Sequence, residues 1–203
     1  MDLHGPESPA PPADTRSPAL ALGLRVEQVR GPYRLTPLPT AGGIVFALVL
    51  GAVVSPIVGP VAAWSWALVM TVVSLVRIVE CRAFEADPDR AGRIETWARR
   101  YWFWMALYGA VWGSIGVLFV PSGQPLLDGV LLATVAGVAA VGVFTLVGVL
   151  PWAVVFLSLV LLPSALHHIT QASEGSRLAS IGLLVYWLLM ILETHRGGLV
   201  LRE

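Results

Sequence analysis

Two neighbouring histidines, His167 and His168, are the residues of this sequence best suited to titration or metal ligation. Imidazole titrates near neutrality, so a sensing role at the outer face is open to them. With Asp128 and Glu174 expected on the same side, a metal site can also be drawn. Adjacent residues on a helix point in different directions, and no ligand spacing recurs along the chain. No metal or cofactor is therefore expected, and the pair reads as an outer-face sensor or as two interfacial histidines. Arg77, Glu80 and Glu193 fall in or beside long apolar runs. Intramembrane charge points by default to a transport path or proton relay. These three lie near run ends, which favours interfacial anchoring, with Arg77 snorkelling. Arg77 and Glu80, three apart, are spaced to pair on one helix face. No nucleophile elbow, P-loop, zincin motif or dinucleotide fingerprint occurs, so the chain reads as non-enzymatic.

The densest cluster is RIETWARRYWFW, residues 93 to 104, with Arg93, Arg99 and Arg100 beside Trp97, Trp102 and Trp104. From Tyr101 to Val120 no Asp, Glu, Lys, Arg or His follows. Arginines at the headgroups, then an aromatic belt, then an apolar run describe a membrane boundary. Trp97, Arg99, Arg100, Trp112, Gly113 and Pro151 are expected to form a structural hub. Gly109 and Gly113 make a GxxxG pattern, continued by Gly129, Ala133 and Gly137, which allows close helix approach. Packing within one bundle accounts for it, and a homo-oligomer stays open.

Of all residues, 13 % are charged and 56 % hydrophobic, with mean hydropathy +0.76. A soluble domain carries about 25 % charged residues. The fold class is therefore all-α: a polytopic membrane helix bundle of about six transmembrane helices with an N-terminal amphipathic helix. Net charge is zero, which gives no support to a nucleic-acid partner. A single cysteine, Cys81, excludes an internal disulfide.

Residues 1–18 are Pro-rich and expected to be disordered. Residues 19–37 form an interfacial amphipathic segment, with Leu22, Val26 and Val29 at helical spacing and Gly31-Pro32 as its expected end. Residues 38–196 hold the six spans: Thr40–Val58, Val61–Val79, Tyr101–Val120, Gly129–Val147, Pro151–Leu166 and Leu178–Leu192. Residues 197–203 form a cytoplasmic tail. Gly59-Pro60, Asp87 to Arg90 and Gly148 to Pro151 are the expected turns. The uncharged run Gly129–Leu166 has 38 residues, too long for one helix across a ~30 Å core at 1.5 Å per residue. A five-span alternative would need that run to be one helix or a re-entrant segment. Pro56, Pro151 and Pro163 are candidate kinks. With six spans, twelve of the thirteen arginines fall on one side and only Arg177 on the other. The positive-inside rule then puts both termini in the cytoplasm.

In order along the chain, Glu27 to Arg30 (EQVR), Tyr33-Arg34, Pro37-Leu38, Trp97 with Arg99-Arg100, Trp112-Gly113 and Pro151 resemble a known pattern. It is that of the six-helix N-terminal membrane sensor region of bacterial diguanylate cyclases and hybrid sensor histidine kinases. The resemblance spans about Arg25 to Arg196. It implies a sensory input module of a bacterial inner membrane that passes a signal to a histidine kinase or diguanylate cyclase. Here it stands without an output domain, either as a stand-alone relative or as a piece of a longer protein. Gly197-Gly198 weakens the expectation of the continuous signalling helix of that family, since glycine disfavours helix. A small transporter and a structural subunit of a membrane complex are the alternatives. Transporters often show an internal repeat and mid-membrane polar groups, and neither is evident here.

Overall fold

In the computed structural model, the described residues are 18–120, 124–146, 148–171 and 173–200. They form eight helices and, among them, no strand: α1 (Pro18–Leu35), α2 (Pro37–Val58), α3 (Pro60–Ala86), α4 (Ile94–Gly113), α5 (Ile115–Leu118), α6 (Pro125–Leu146), α7 (Leu150–Thr170) and α8 (Glu174–Val200). Most of the expected Pro-rich tail lies outside these residues, as does the end of the C-terminal tail.

Among the described residues, five stretches are long and apolar enough to cross a membrane: Leu22–Val58, α3, α6, α7 and Glu174–Gly197. Large apolar side chains such as Leu38, Val61, Leu126 and Phe144 point outward, as a lipid-facing surface requires. The molecule is an all-α, multi-pass helix bundle. The expected third span corresponds to α4, which is less apolar because it carries Glu95, Arg99 and Arg100 in its first two turns. Its place in the bundle explains the difference. Nine of its 20 residues are buried, against α3, α7, α1 and α6. A helix sheltered by neighbours needs little apolar outer surface.

The expected turns at Gly59 and Gly148 are present, and these two glycines alone among the described residues have positive φ, +94° and +92°. Side-chain-bearing residues rarely adopt that conformation. Pro60 then opens α3 at a position where its missing N–H costs nothing. The α3–α4 turn starts at Asp87, as expected, and both helices extend beyond the apolar runs to reach it.

Three expectations are corrected, and a fourth group, the candidate kinks, is located. Gly31-Pro32 does not end α1, which continues to Leu35; Thr36 donates its amide and its hydroxyl to the Pro32 carbonyl, at 3.0 and 2.7 Å. Proline lacks a donor but still accepts, so the chain stays nearly helical into α2. The third span is not continuous to Val120. It breaks at Ser114, between Gly113 and Gly116, where the Ser114 hydroxyl bonds the Val111 carbonyl. The candidate kinks Pro56 and Pro163 lie inside the continuous helices α2 and α7. Gly197-Gly198 does not stop α8, whose backbone runs to Val200; a glycine pair lowers helix propensity but leaves every N–H donor in place.

Candidate functional site

At the arginine-rich end, one aromatic cluster joins four helices. Tyr33 of α1 stacks on Phe84 of α3 at 4.1 Å between centroids and meets Trp97 and Tyr101 of α4 edge-on at 6.0 and 5.0 Å. Tyr101 in turn stacks on Trp152 of α7 at 5.1 Å. Tyr33 also donates its hydroxyl to the Trp97 carbonyl at 3.0 Å.

Asp87 ties the turn beneath this cluster. Its carboxylate accepts from the Asp89 amide at 2.9 Å, from the Trp97 indole at 2.8 Å and from Arg93. Burial would raise its pKa, but the bonds from Trp97, the Asp89 amide and Arg93 outweigh that and hold it below the ordinary aspartate value. A depressed carboxylate contributes stability above its unfolded pKa and loses it as pH falls through the folded value. Asp87→Ala is therefore expected to lower the thermal unfolding midpoint at neutral pH, with the gap to wild type closing in acid. Parallel pH-dependent melts that stayed equally spaced down to acid would contradict this.

The sequence-nominated hub residues divide. Trp97 is buried in the cluster. Arg100 lies over its ring at 4.7 Å and pairs with Glu80. Arg99 is exposed, and Pro151 is exposed at the first turn of α7. Trp112 and Gly113 sit further along α4. Trp112 packs edge-on to Trp66 at 5.6 Å, and a Cβ on Gly113 would overlap the Leu159 carbonyl of α7. Gly109 and Gly113 thus serve α4–α7 contact, whereas Gly129 and Gly137 face open space. Gly116, against Ser164, and Gly142, against Phe156, are equally tight contacts that the small-residue pattern did not reveal.

At the opposite end, His167 and His168 are not a pair aimed at one point. The His167 ring lies 3.3 Å from Gln171, while His168 turns inward, 5 % exposed, with neither ring nitrogen hydrogen-bonded. Among the described residues no three His, Cys, Asp or Glu side chains group closely enough to hold a metal ion.

A cavity of about 570 Å³ lies between α2, α4 and α6, with Phe156 of α7 also lining it. Small-molecule sites span roughly 300–1,000 Å³. Its walls are mainly apolar. Phe46, Val130 and Val141 line it and are also exposed, so it opens sideways through the bundle's apolar surface. Arg77 projects into it. This corrects the expectation of a snorkelling anchor paired with Glu80. Arg77 is 7 % exposed, its guanidinium lies 4.3 Å from the Tyr108 ring centre and 6.0 Å from that of Tyr101, and Glu80 is engaged by Arg100 instead. Two aromatic faces are within cation–π range and draw the side chain inward. No carboxylate of the described residues is within ion-pair distance of Arg77.

Gly43 completes the arrangement. A Cβ there would come within 2.5 Å of the Tyr108 hydroxyl, so glycine lets that hydroxyl reach α2. Nothing in the sequence singled out Gly43 from its neighbour Gly42, beside which a Cβ finds open space. No known protein-family model, curated protein or solved structure matches the chain.

Proposed function

We propose that this chain is a non-catalytic sensory input module of a bacterial inner membrane, with both termini in the cytoplasm. The observation that carries the reading is the lateral cleft holding an unpaired buried arginine: a binding site within the membrane. Phe156 touches the cleft and packs against Gly109 and Gly142, and α7 is the main support of α8. Occupancy that spreads α2 from α6 would shift α7 and with it the arginine-rich end of α8. A ligand does this only if it binds the two packings unequally. The output partner is a histidine kinase or diguanylate cyclase, as the resemblance implies.

Affinity purification from native membranes in mild detergent, with mass spectrometry of the retained proteins, tests this. A co-purifying kinase or cyclase whose activity changes with the Arg77→Gln variant is the expected result. A chain that recovers no signalling protein would count against it. The same buried arginine favours one second reading, a small transporter, since intramembrane charge also marks substrate paths. Arg77-dependent flux of an anion into proteoliposomes would support that reading over the first.

A further inference from the structure

We propose that the α2–α4–α6 cleft binds a membrane-partitioned amphiphile with an anionic head, Arg77 holding the head and the apolar wall of α6 the chain. The inference rests on the reading of this cleft as a ligand site and adds the ligand's chemistry.

Hydrogen-bond capacity decides the sign of the head. The Thr36 hydroxyl donates to the Pro32 carbonyl, so Tyr101, 2.8 Å away, donates to Thr36. Thr134 and Thr145 spend their protons on the carbonyls of Val130 and Gly142, at 2.8 and 2.9 Å. Two groups at the cleft favour an anionic head. One is the Arg77 guanidinium, without a carboxylate. The other is the Trp112 indole N–H, buried without a hydrogen bond of normal geometry and with the Tyr108 hydroxyl as its neighbour. The Cζ2 atom of Trp112, on the same indole edge as that nitrogen, is 3.7 Å from where a Cβ on Gly43 would sit, at the cleft wall. A buried cation without a counter-charge is costly, and an oxyanion supplies that charge and an acceptor for the indole. Arginine binds carboxylate or phosphate through two parallel N–H bonds.

Position decides the rest of the ligand. Arg77 lies roughly 25 Å along α3 from Pro60 at 1.5 Å per residue, near the arginine-rich end. The apolar part of the cleft runs away from it along α6 from Thr145 towards Val130, and its mouth lies among lipid-facing side chains. Entry from the hydrocarbon suits a chain carrying one charged end. A small hydrophilic anion would have to cross that apolar mouth. A free fatty acid and an anionic phospholipid share the required chemistry.

The test is native mass spectrometry of the full chain in an uncharged detergent, titrated with hexadecanoate, with hexadecanol, or with phosphatidylglycerol against phosphatidylcholine. Expected is one retained hexadecanoate at concentrations roughly tenfold below those needed for hexadecanol, the equivalent of one charge-assisted contact. Arg77→Gln should erase that preference. Because Arg77→Gln could perturb folding, Gly137→Trp provides a second variant: Gly137 lines the cleft and a Cβ there has nothing within 4 Å, so a bulky side chain projects into the cleft space. It should block binding at an unchanged unfolding midpoint. Selective retention of phosphatidylglycerol, undisplaced by hexadecanoate, would support the same chemistry with the bilayer's own headgroup as its source. Equal binding of acid and alcohol, or binding that survives Gly137→Trp, would overturn the ligand class or its place. Failure of every amphiphile to bind while a kinase or cyclase still co-purifies would overturn this inference and leave the sensory reading standing.

Discussion

Gly113→Leu is expected to be the most damaging single substitution in the bundle, with loss of the folded state in mild detergent. A Cβ at this position overlaps the backbone carbonyl of Leu159, and a backbone atom cannot rotate aside as a side chain can. Overpacking a core costs about 1–3 kcal/mol and occasionally more. Here relief requires moving α7 as a whole, which would also disturb the Gly109–Phe156 and Gly116–Ser164 contacts, so the upper end of that range or beyond applies. Gly129→Leu, on a face of α6 with nothing within 4 Å, is the control and should leave the unfolding midpoint unchanged or slightly raised. Thermal unfolding followed by circular dichroism compares the two directly. Equal midpoints for both variants would show that the α4–α7 approach is looser than described.

Tyr33→Ala is the second large effect. Tyr33 is 1 % exposed and is the only residue of α1 that touches Phe84, Trp97 and Tyr101 together among the described contacts. Removing a buried aromatic side chain costs about 3–5 kcal/mol. Tyr33→Phe keeps the ring and removes only the 3.0 Å bond to the Trp97 carbonyl, a change of about 1 kcal/mol. A ring-dominated site gives that order of effects, with α1 detaching in the alanine variant and becoming sensitive to proteolysis. If Phe were as damaging as Ala, the hydroxyl rather than the stacking would be anchoring α1.

Trp97 illustrates how far local pattern reaches. Its place beside Arg99 and Arg100 before an apolar run suggested a hub, and the indole does bind Asp87, Tyr33 and Phe84. The same pattern nominated Arg99 and Pro151, which face outward. Spacing identifies a boundary between charge and hydrocarbon; it does not say which side of each helix a neighbour will cover. The partner of Trp97 in the turn, Asp87, was visible as a turn residue and not as the acceptor that organises it, because its three donors converge only once the turn closes.

Composition and apolar run length by themselves determined the class of this protein: a helical, multi-pass bundle with turns at Gly59, Asp87 and Gly148. These follow from local constraints, namely hydrocarbon length, backbone donors that must be satisfied internally, and the few residues that tolerate a tight turn. Only the tertiary structure decided that Arg77 turns inward. Sequence placed it near a span end, where the pattern favours snorkelling outward. The choice depends on Tyr101 and Tyr108 from α4, on the room left by Gly43 of α2, and on Arg100 taking Glu80 away. Each comes from a different helix, and their convergence is a property of packing that no periodicity within α3 encodes.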